Sequence, residues 1–480
     1  MQGHDSRWTR RQFLAVAGIS TGLTVLGGCA PFPETSPPSV TPKPSGRVQE
    51  YTLDAKEDSI TINGKPVKTW IYSAGALSLP QLRVREGDTL RVKLTNKLPQ
   101  DTTIHWHGLT LDNKMDGVPD LTQSPVARNQ TFTYEFTAPF SGTYYYSSFV
   151  GTQADRFLYG PLIIDPANEQ RNFDYEFIIM LDDWIDGVAG SPDDALKKLQ
   201  SGGITTTSAV KGESAPDLNY PLYLINGTSA ETPYEMTIKN NSRLLLRFIN
   251  AAASTIFHVA LQGHRMQVTH ADGHEIAPVE VDALRIGMGE RYDTIVTANH
   301  PGVWQLAARV EGTQKTMTRA LLRYQGEKAK APPADALPAE LSRQTLQYSM
   351  LKAGPGVAVM PNRQPDTVTQ IQLNGDPKKY TWTINGERYP NVTPISVAKG
   401  NLIRFEIQNQ SPLPQPMHLH GQLFQLDNGT GHGPLKDTVL IDPGQKLAIL
   451  WTASNPGQWA FHSNNVYHRA SGMLGVVKVE

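Results

Sequence analysis

Cysteine is almost missing from this chain: among its 480 residues only Cys29 carries a thiol. A single cysteine excludes an internal disulfide, and it leaves no thiolate in the folded part to bind a metal ion. An excess of charge of one sign is missing too, because the chain has 44 basic and 45 acidic side chains and a net charge of −1. Without a broad basic field the chain is a poor partner for nucleic acid, and we expect none to bind.

The apolar run over residues 15–26 is too short to span a bilayer comfortably, and two glycines interrupt it. Arg10 and Arg11 precede it in the segment TRRQFL, which resembles the twin-arginine export motif. The run ends at Cys29 in the segment LGGC, which resembles a lipobox. We therefore expect residues 1–29 to be an export signal with lipidation at Cys29, and cleavage nearby by an ordinary signal peptidase is the alternative.

Residues 30–47 are rich in proline and serine and favour an extended tether. A lipid anchor followed by a tether predicts a periplasmic protein held at a membrane. Ala30, which is not an aspartate, follows the lipidated position and favours the outer membrane. We expect the chain to be a monomer and to have a protein partner in the envelope.

Beyond the tether, alternating polar and apolar residues predict short strands. A strand followed by an asparagine-containing turn occurs three times, roughly 155 to 160 residues apart. The three asparagines are Asn96, Asn250 and Asn409. This repeat predicts an all-β fold of three tandem Greek-key sandwiches, at residues 48–165, 166–327 and 340–480. One short helix is expected, at residues 193–199.

Two His-x-His pairs stand near opposite ends of this folded region. They are His105-Trp106-His107 and His418-Leu419-His420, and a glycine follows each. Residues i and i+2 of a strand point to the same face, so both imidazoles of a pair project to one side. Neutral imidazole suits copper, zinc and iron. Two such pairs indicate a metal site more strongly than one would.

Four segments resemble the copper-ligand motifs of the multicopper oxidases, the laccases and their relatives. They read TIHWHGL, GTYYYSSFVGTQADRFLYGPLII, PLPQPMHLHGQLF and GQWAFHSNNVYHRASGM. The resemblance implies three cupredoxin-like domains with copper ligands in the first and the last. It makes His105 and His418 the type 2 ligands. It makes His107, His420 and His462 type 3 ligands.

The same resemblance shows departures at the other ligand positions. Three type 3 histidine positions hold Ser147, Phe149 and Asn464. The four type 1 positions hold Gln415, Ser463, His468 and Met473, of which only the last two are family ligands. A type 1 centre needs the soft thiolate, and four-electron reduction of oxygen needs the type 3 copper pair. We therefore expect no laccase-type catalysis.

Two functions remain open. The protein is a non-catalytic envelope scaffold, similar in architecture to the copper-free, twin-arginine-exported cell-division protein of the family. Alternatively, the five remaining histidines bind a single copper or zinc ion, and residual oxidoreductase activity depends on the type 2-like pair. If they bind no metal, the five side chains are retained for packing and hydrogen bonding between domains.

Overall fold

The computed structural model of this protein describes residues 44–75, 77–168, 172–357, 359–361 and 363–480. The expected export signal, with Arg10, Arg11 and Cys29, lies outside these residues, as does most of the tether. Within the described ranges, no helix is both long and apolar enough to cross a membrane.

The first domain consists of two sheets with the strand orders β3-β2-β1-β5-β7 and β4-β9-β8-β6. Its strands are β1 Val48–Ile62, β2 Lys65–Ala74, β3 Leu77–Ser78, β4 Leu82–Arg85, β5 Thr89–Asn96, β6 His105–His107, β7 Thr131–Thr137, β8 Gly142–Ser147 and β9 Tyr159–Asp165. Short 3-10 turns occupy Asn113–Met115 and Gln153–Asp155.

The second domain has the strand orders β11-β10-β13-β18-β15-β16 and β12-β20-β19-β14-β17. Its elements are β10 Tyr175–Trp184, α1 Pro192–Gly202, β11 Leu222–Ile225, β12 Tyr234–Ile238, β13 Ser242–Asn250, β14 Phe257–Leu261, β15 Met266–Ala271, β16 His274–Val281, β17 Ala283–Ile286, β18 Arg291–Ala298, β19 Val303–Val310 and β20 Met317–Tyr324. The helix expected at residues 193–199 is α1, which the side chain of Ser191 caps.

The third domain has the strand orders β22-β21-β24-β29-β26-β27 and β23-β31-β30-β25-β28. Two 3-10 turns, Ala339–Ser342 and Tyr348–Met350, precede it. Its elements are β21 Thr367–Asp376, β22 Thr381–Ile384, β23 Ile395–Val397, β24 Leu402–Asn409, β25 Gln415–Leu419, β26 Phe424–Asp427, β27 Leu435–Lys436, β28 Thr438–Ile441, β29 Lys446–Thr452, β30 Gly457–Ser463, α2 Val466–Ala470 and β31 Leu474–Val479. The predicted all-β fold of three tandem sandwiches is confirmed.

The internal repeat has a physical basis: each domain has one asparagine corner, a turn after a strand that an asparagine side chain closes by hydrogen bonds to the main chain. In each domain the first long strand pairs in parallel with the strand that ends at the asparagine: β1 with β5, β10 with β13, and β21 with β24. Asn96 Nδ2 donates to two main-chain carbonyls at 2.9 and 2.7 Å, and its Oδ1 accepts the amide two residues on at 2.9 Å. Asn250 and Asn409 make the same three kinds of bond. Each asparagine thereby pairs three buried main-chain groups at the turn.

Candidate metal centre

Strands from the first and third domains bring the five predicted metal-binding histidines together. β6 carries His105 and His107, β25 carries His418 with His420 directly after it, and β30 carries His462. The imidazoles form two stacks, His105 on His420 and His107 on His418, each with ring centroids 3.8 Å apart. All five side chains are at most 3% exposed, so the cluster is shielded from bulk water.

Main-chain carbonyls fix the ring orientation of the two type 2-like histidines. His105 Nδ1 donates to the carbonyl of Asp116 at 2.9 Å, and His418 Nδ1 donates to the carbonyl of Asp437 at 2.8 Å. With the ring proton assigned to Nδ1 by these contacts, each Nε2 is left with a free lone pair. Both Nε2 atoms are buried and have no hydrogen-bond partner among the described residues. Two buried acceptors without a donor are what a bound cation or water would satisfy.

The side chains of the same two aspartates contact two of the three remaining rings. Asp116 Oδ2 accepts from His420 Nδ1 at 2.8 Å, and Asp437 Oδ1 lies 3.3 Å from His107 Nε2. Burial would raise the pKa of the Asp437 carboxyl, but the Arg291 guanidinium, 2.6 Å away, holds that pKa well below its usual range. Each aspartate therefore orients two imidazoles, and the second domain reaches the cluster through Arg291.

His420 and His462 face each other with their Nε2 atoms 2.8 Å apart. His420 Nδ1 donates to Asp116 Oδ2, and His462 Nδ1 donates to the carbonyl of Ser463, both at 2.8 Å. With the ring protons on Nδ1, the two Nε2 atoms present lone pairs to each other. Burial and the neighbouring imidazoles hold the pKa of both side chains well below the ordinary histidine value. Both rings are therefore uncharged near neutral pH, and their facing Nε2 lone pairs need a proton or a cation between them.

The three departures at type 3 positions lie near the histidine cluster. The Phe149 ring lies edge-on to the imidazoles of His420 and His462, with ring centroids 5.1 Å apart in both pairs. Asn464 donates from Nδ2 to the Tyr145 hydroxyl at 3.1 Å. Ser147 is paired across the strands with His105 and is 9% exposed. None of these side chains supplies an imidazole.

The type 1 positions form a separate buried hydrogen-bond network. Gln415 Oε1 accepts from the Ser463 hydroxyl and from His468 Nδ1, both at 3.0 Å. His468 Nε2 lies 2.8 Å from Asp217 Oδ2. Met473 follows His468 closely in the sequence. It is 0% exposed, as are Gln415, Ser463 and His468. His468 Nδ1 is therefore engaged without a metal, whereas its Nε2 lies near the Asp217 carboxylate and makes no hydrogen bond among the described residues.

Comparison with known proteins agrees with this architecture. Three family models, each described as multicopper oxidase, match residues 54–169, 176–327 and 362–480. Multicopper oxidase MmcO of Mycobacterium tuberculosis is 37% identical over 492 aligned residues, which cover 97% of this chain and 96% of that protein. The chain belongs to the multicopper oxidase family.

A further relative and a solved structure are also similar to this chain over most of its length. A copper resistance protein A homolog of Pseudomonas syringae pv. tomato is 27% identical and covers 99% of this chain and 100% of its own length. The crystal structure of a laccase from Botrytis aclada superposes with a TM-score of 0.76 at 25% identity, over 92% of this chain and 88% of that one. The family is one of copper-binding oxidoreductases.

Sequence reasoning missed the residues that orient the histidines. Asp116 and Asp437 lie outside the His-x-His pairs, and Arg291 comes from another domain. Asp116 does stand in the segment MDGVP, which begins at Met115, shortly after the first histidine motif ends at Leu109. An aspartate next to a ligand motif was the one signal available for it.

Proposed function

We propose that this protein is an exported copper-binding member of the multicopper oxidase family that holds one metal ion and lacks four-copper oxidase activity. The observation that carries the proposal is the pair of unpartnered, inward-facing Nε2 atoms on His105 and His418. One ligand atom from each of His105, His107 and His418 lies within 4.8 Å of the others. Neutral imidazoles at this spacing suit copper or zinc, with water completing the coordination.

The remaining positions support a capacity of one ion. The hydrogen bonds of Gln415 with Ser463 and His468 occupy three of the four type 1 positions, and no thiolate is present there. The ring of Phe149 lies at a donor position of the type 3 region, beside His420 and His462. A bound copper ion would supply one-electron or Lewis-acid chemistry. The chain itself orients the rings and excludes bulk water.

Cellular placement is part of the same proposal. Arg10 and Arg11 would direct export by the twin-arginine route, and Cys29 would carry a lipid that holds the protein at the periplasmic side of a membrane, with the outer membrane favoured. Relatives named copper resistance proteins favour a role in handling copper. We propose a monomer with a protein partner in the envelope.

A non-catalytic envelope scaffold is the second candidate. The network around Gln415 favours it, because the buried Gln415 side chain hydrogen-bonds to Ser411, Ser463 and His468 without a metal. On that interpretation the five histidines are packing and hydrogen-bonding groups, and the protein acts through its surface.

Metal content distinguishes the two candidates. Protein exported by its native route should contain one copper or zinc ion per chain, and the double variant His105→Ala/His418→Ala should contain none. A matched control is His300→Ala/His432→Ala, because both of those histidines are exposed. Elemental analysis of the three proteins is the measurement. A metal-free native protein whose thermal stability equals that of the first variant would reject the metal proposal and favour the scaffold.

A further inference from the structure

Phe149 belongs to the first domain but packs against the third. It lies in the loop that follows β8 and is 7% exposed. Together with Val118 it forms a small apolar cluster with side chains of β30 and β31, which are Ala460, Leu474 and Val476. The apolar cluster fixes the position of the ring at the boundary of the histidine cluster.

The ring is held from two further sides. Its edges contact the imidazoles of His105, His420 and His462, with centroids 5.7, 5.1 and 5.1 Å away. The guanidinium carbon of Arg469 lies 4.1 Å from the ring centroid, which is a cation–π contact. The phenyl group therefore fills the volume that borders three of the five imidazoles, and it offers no lone pair there.

We infer that Phe149 is the residue that restricts the histidine cluster to a single metal ion. A second ion bound by the Nε2 atoms of His420 and His462 would need a further donor beside them. The phenyl ring, 5.1 Å from both imidazoles between centroids, occupies the place of that donor. The inference rests on the proposed function, since it sets the capacity of the same cluster.

Phe149→His tests the inference, because an imidazole is smaller than a phenyl ring and brings a donor to the same place. Full-length protein is loaded with copper(II) sulfate, freed of unbound ion, and analysed for copper per chain. We expect the ratio to rise from one in the native protein to two in Phe149→His. Phe149→Leu keeps apolar bulk without a donor and should stay at one. Phe132→His adds a histidine on β7, away from the cluster, and should also stay at one.

The outcomes separate this inference from the proposed function. A folded Phe149→His protein that binds no more copper than the native protein overturns the inference. A native protein that binds no copper rejects the proposed function and, with it, the single-ion capacity that the inference assigns to Phe149. If Phe149→His does not fold, Phe149→Met replaces it, because a thioether is a copper(I) ligand of apolar character. Equal copper(I) content in the native and Phe149→Met proteins overturns the inference as well.

Discussion

Gln415 and Ser463 occupy the centre of the type 1 region, and their side chains lie 3.0 Å apart at the Oε1 and Oγ atoms. His468 and Met473 remain beside them, fully buried. A blue copper site consists of two histidines, a cysteine thiolate and a weak axial methionine. The region is therefore two substitutions away from a complete set of ligand types, on a backbone that already brings the side chains of Gln415, Ser463 and His468 together.

We expect the double variant Gln415→His/Ser463→Cys to gain an intense visible absorption band on addition of copper(II), because it restores the thiolate and the second imidazole. The native protein should show no such band. Absorption spectroscopy during copper titration is the measurement, and Gln415→His alone is the control without a thiolate. A blue native protein would contradict our interpretation of Ser463.

At the scale of elements, Glu311 joins three strands of the second domain. It follows β19 directly and is 4% exposed. It accepts hydrogen bonds from Arg285 of β17 at 2.6 and 2.8 Å, and it contacts His258 of β14 at 3.1 Å. Burial would raise its pKa, but the bonds from Arg285 and His258 outweigh burial and lower the pKa of Glu311 to about 2.

This pKa predicts the sign of a pH effect. Because the pKa of Glu311 is lower in the folded state than in the unfolded state, the ionised carboxylate stabilises the fold above about pH 4.5, and this stability is lost as the pH falls towards 2. The shift corresponds to about 3 kcal/mol. We expect Glu311→Gln to lose less unfolding free energy than the native protein between pH 5 and pH 3, measured by urea unfolding.

The matched control for this comparison is Asp335→Asn, which removes an exposed carboxylate. Its pH dependence should equal that of the native protein. If Glu311→Gln followed the native curve as closely as this control, Glu311 would not be a source of acid lability.

Much of the fold could be predicted from local patterns. Strand alternation and the recurring asparagine depend on neighbouring residues, so Asn96, Asn250 and Asn409 marked the three domains. The His-x-His pairs likewise placed two imidazoles on one face of each strand. The residues that complete the centre follow no local pattern, since Asp116 meets His420 across 304 positions and Arg291 meets Asp437 across 146. The resemblance placed Phe149 at a ligand position, but only the packing shows what its ring covers.

At the scale of the whole molecule, Arg291 and Asp437 connect the second domain to the third and to the histidine cluster. Both side chains are at most 1% exposed, and two hydrogen bonds of 2.8 and 2.6 Å join them. Removing one member of a buried ion pair leaves an uncompensated charge, which costs about 3–5 kcal/mol. Asp437 also contacts His107 and His418, so its displacement would disturb both rings.

We expect Arg291→Met to lower the free energy of unfolding by about 3–5 kcal/mol and to weaken metal retention, because Asp437 then loses its partner. Denaturant unfolding and metal analysis after dialysis are the measurements. Arg265→Met is the control: its side chain is 49% exposed and lies 3.5 Å from Glu280, so its loss should cost less than about 1 kcal/mol. Equal losses in both variants would refute a special role for Arg291.

The asparagine corners and the histidine cluster differ in how far along the chain they reach. The bonds of Asn96, Asn250 and Asn409 span at most 36 residues, whereas His107 meets Thr438 across 331. Contacts between distant residues carry a larger loop-closure entropy and form later in folding. Each sandwich can therefore close soon after its own strands are made, while the histidine cluster must wait for the last domain. Metal would enter a molecule whose folding is already nearly complete.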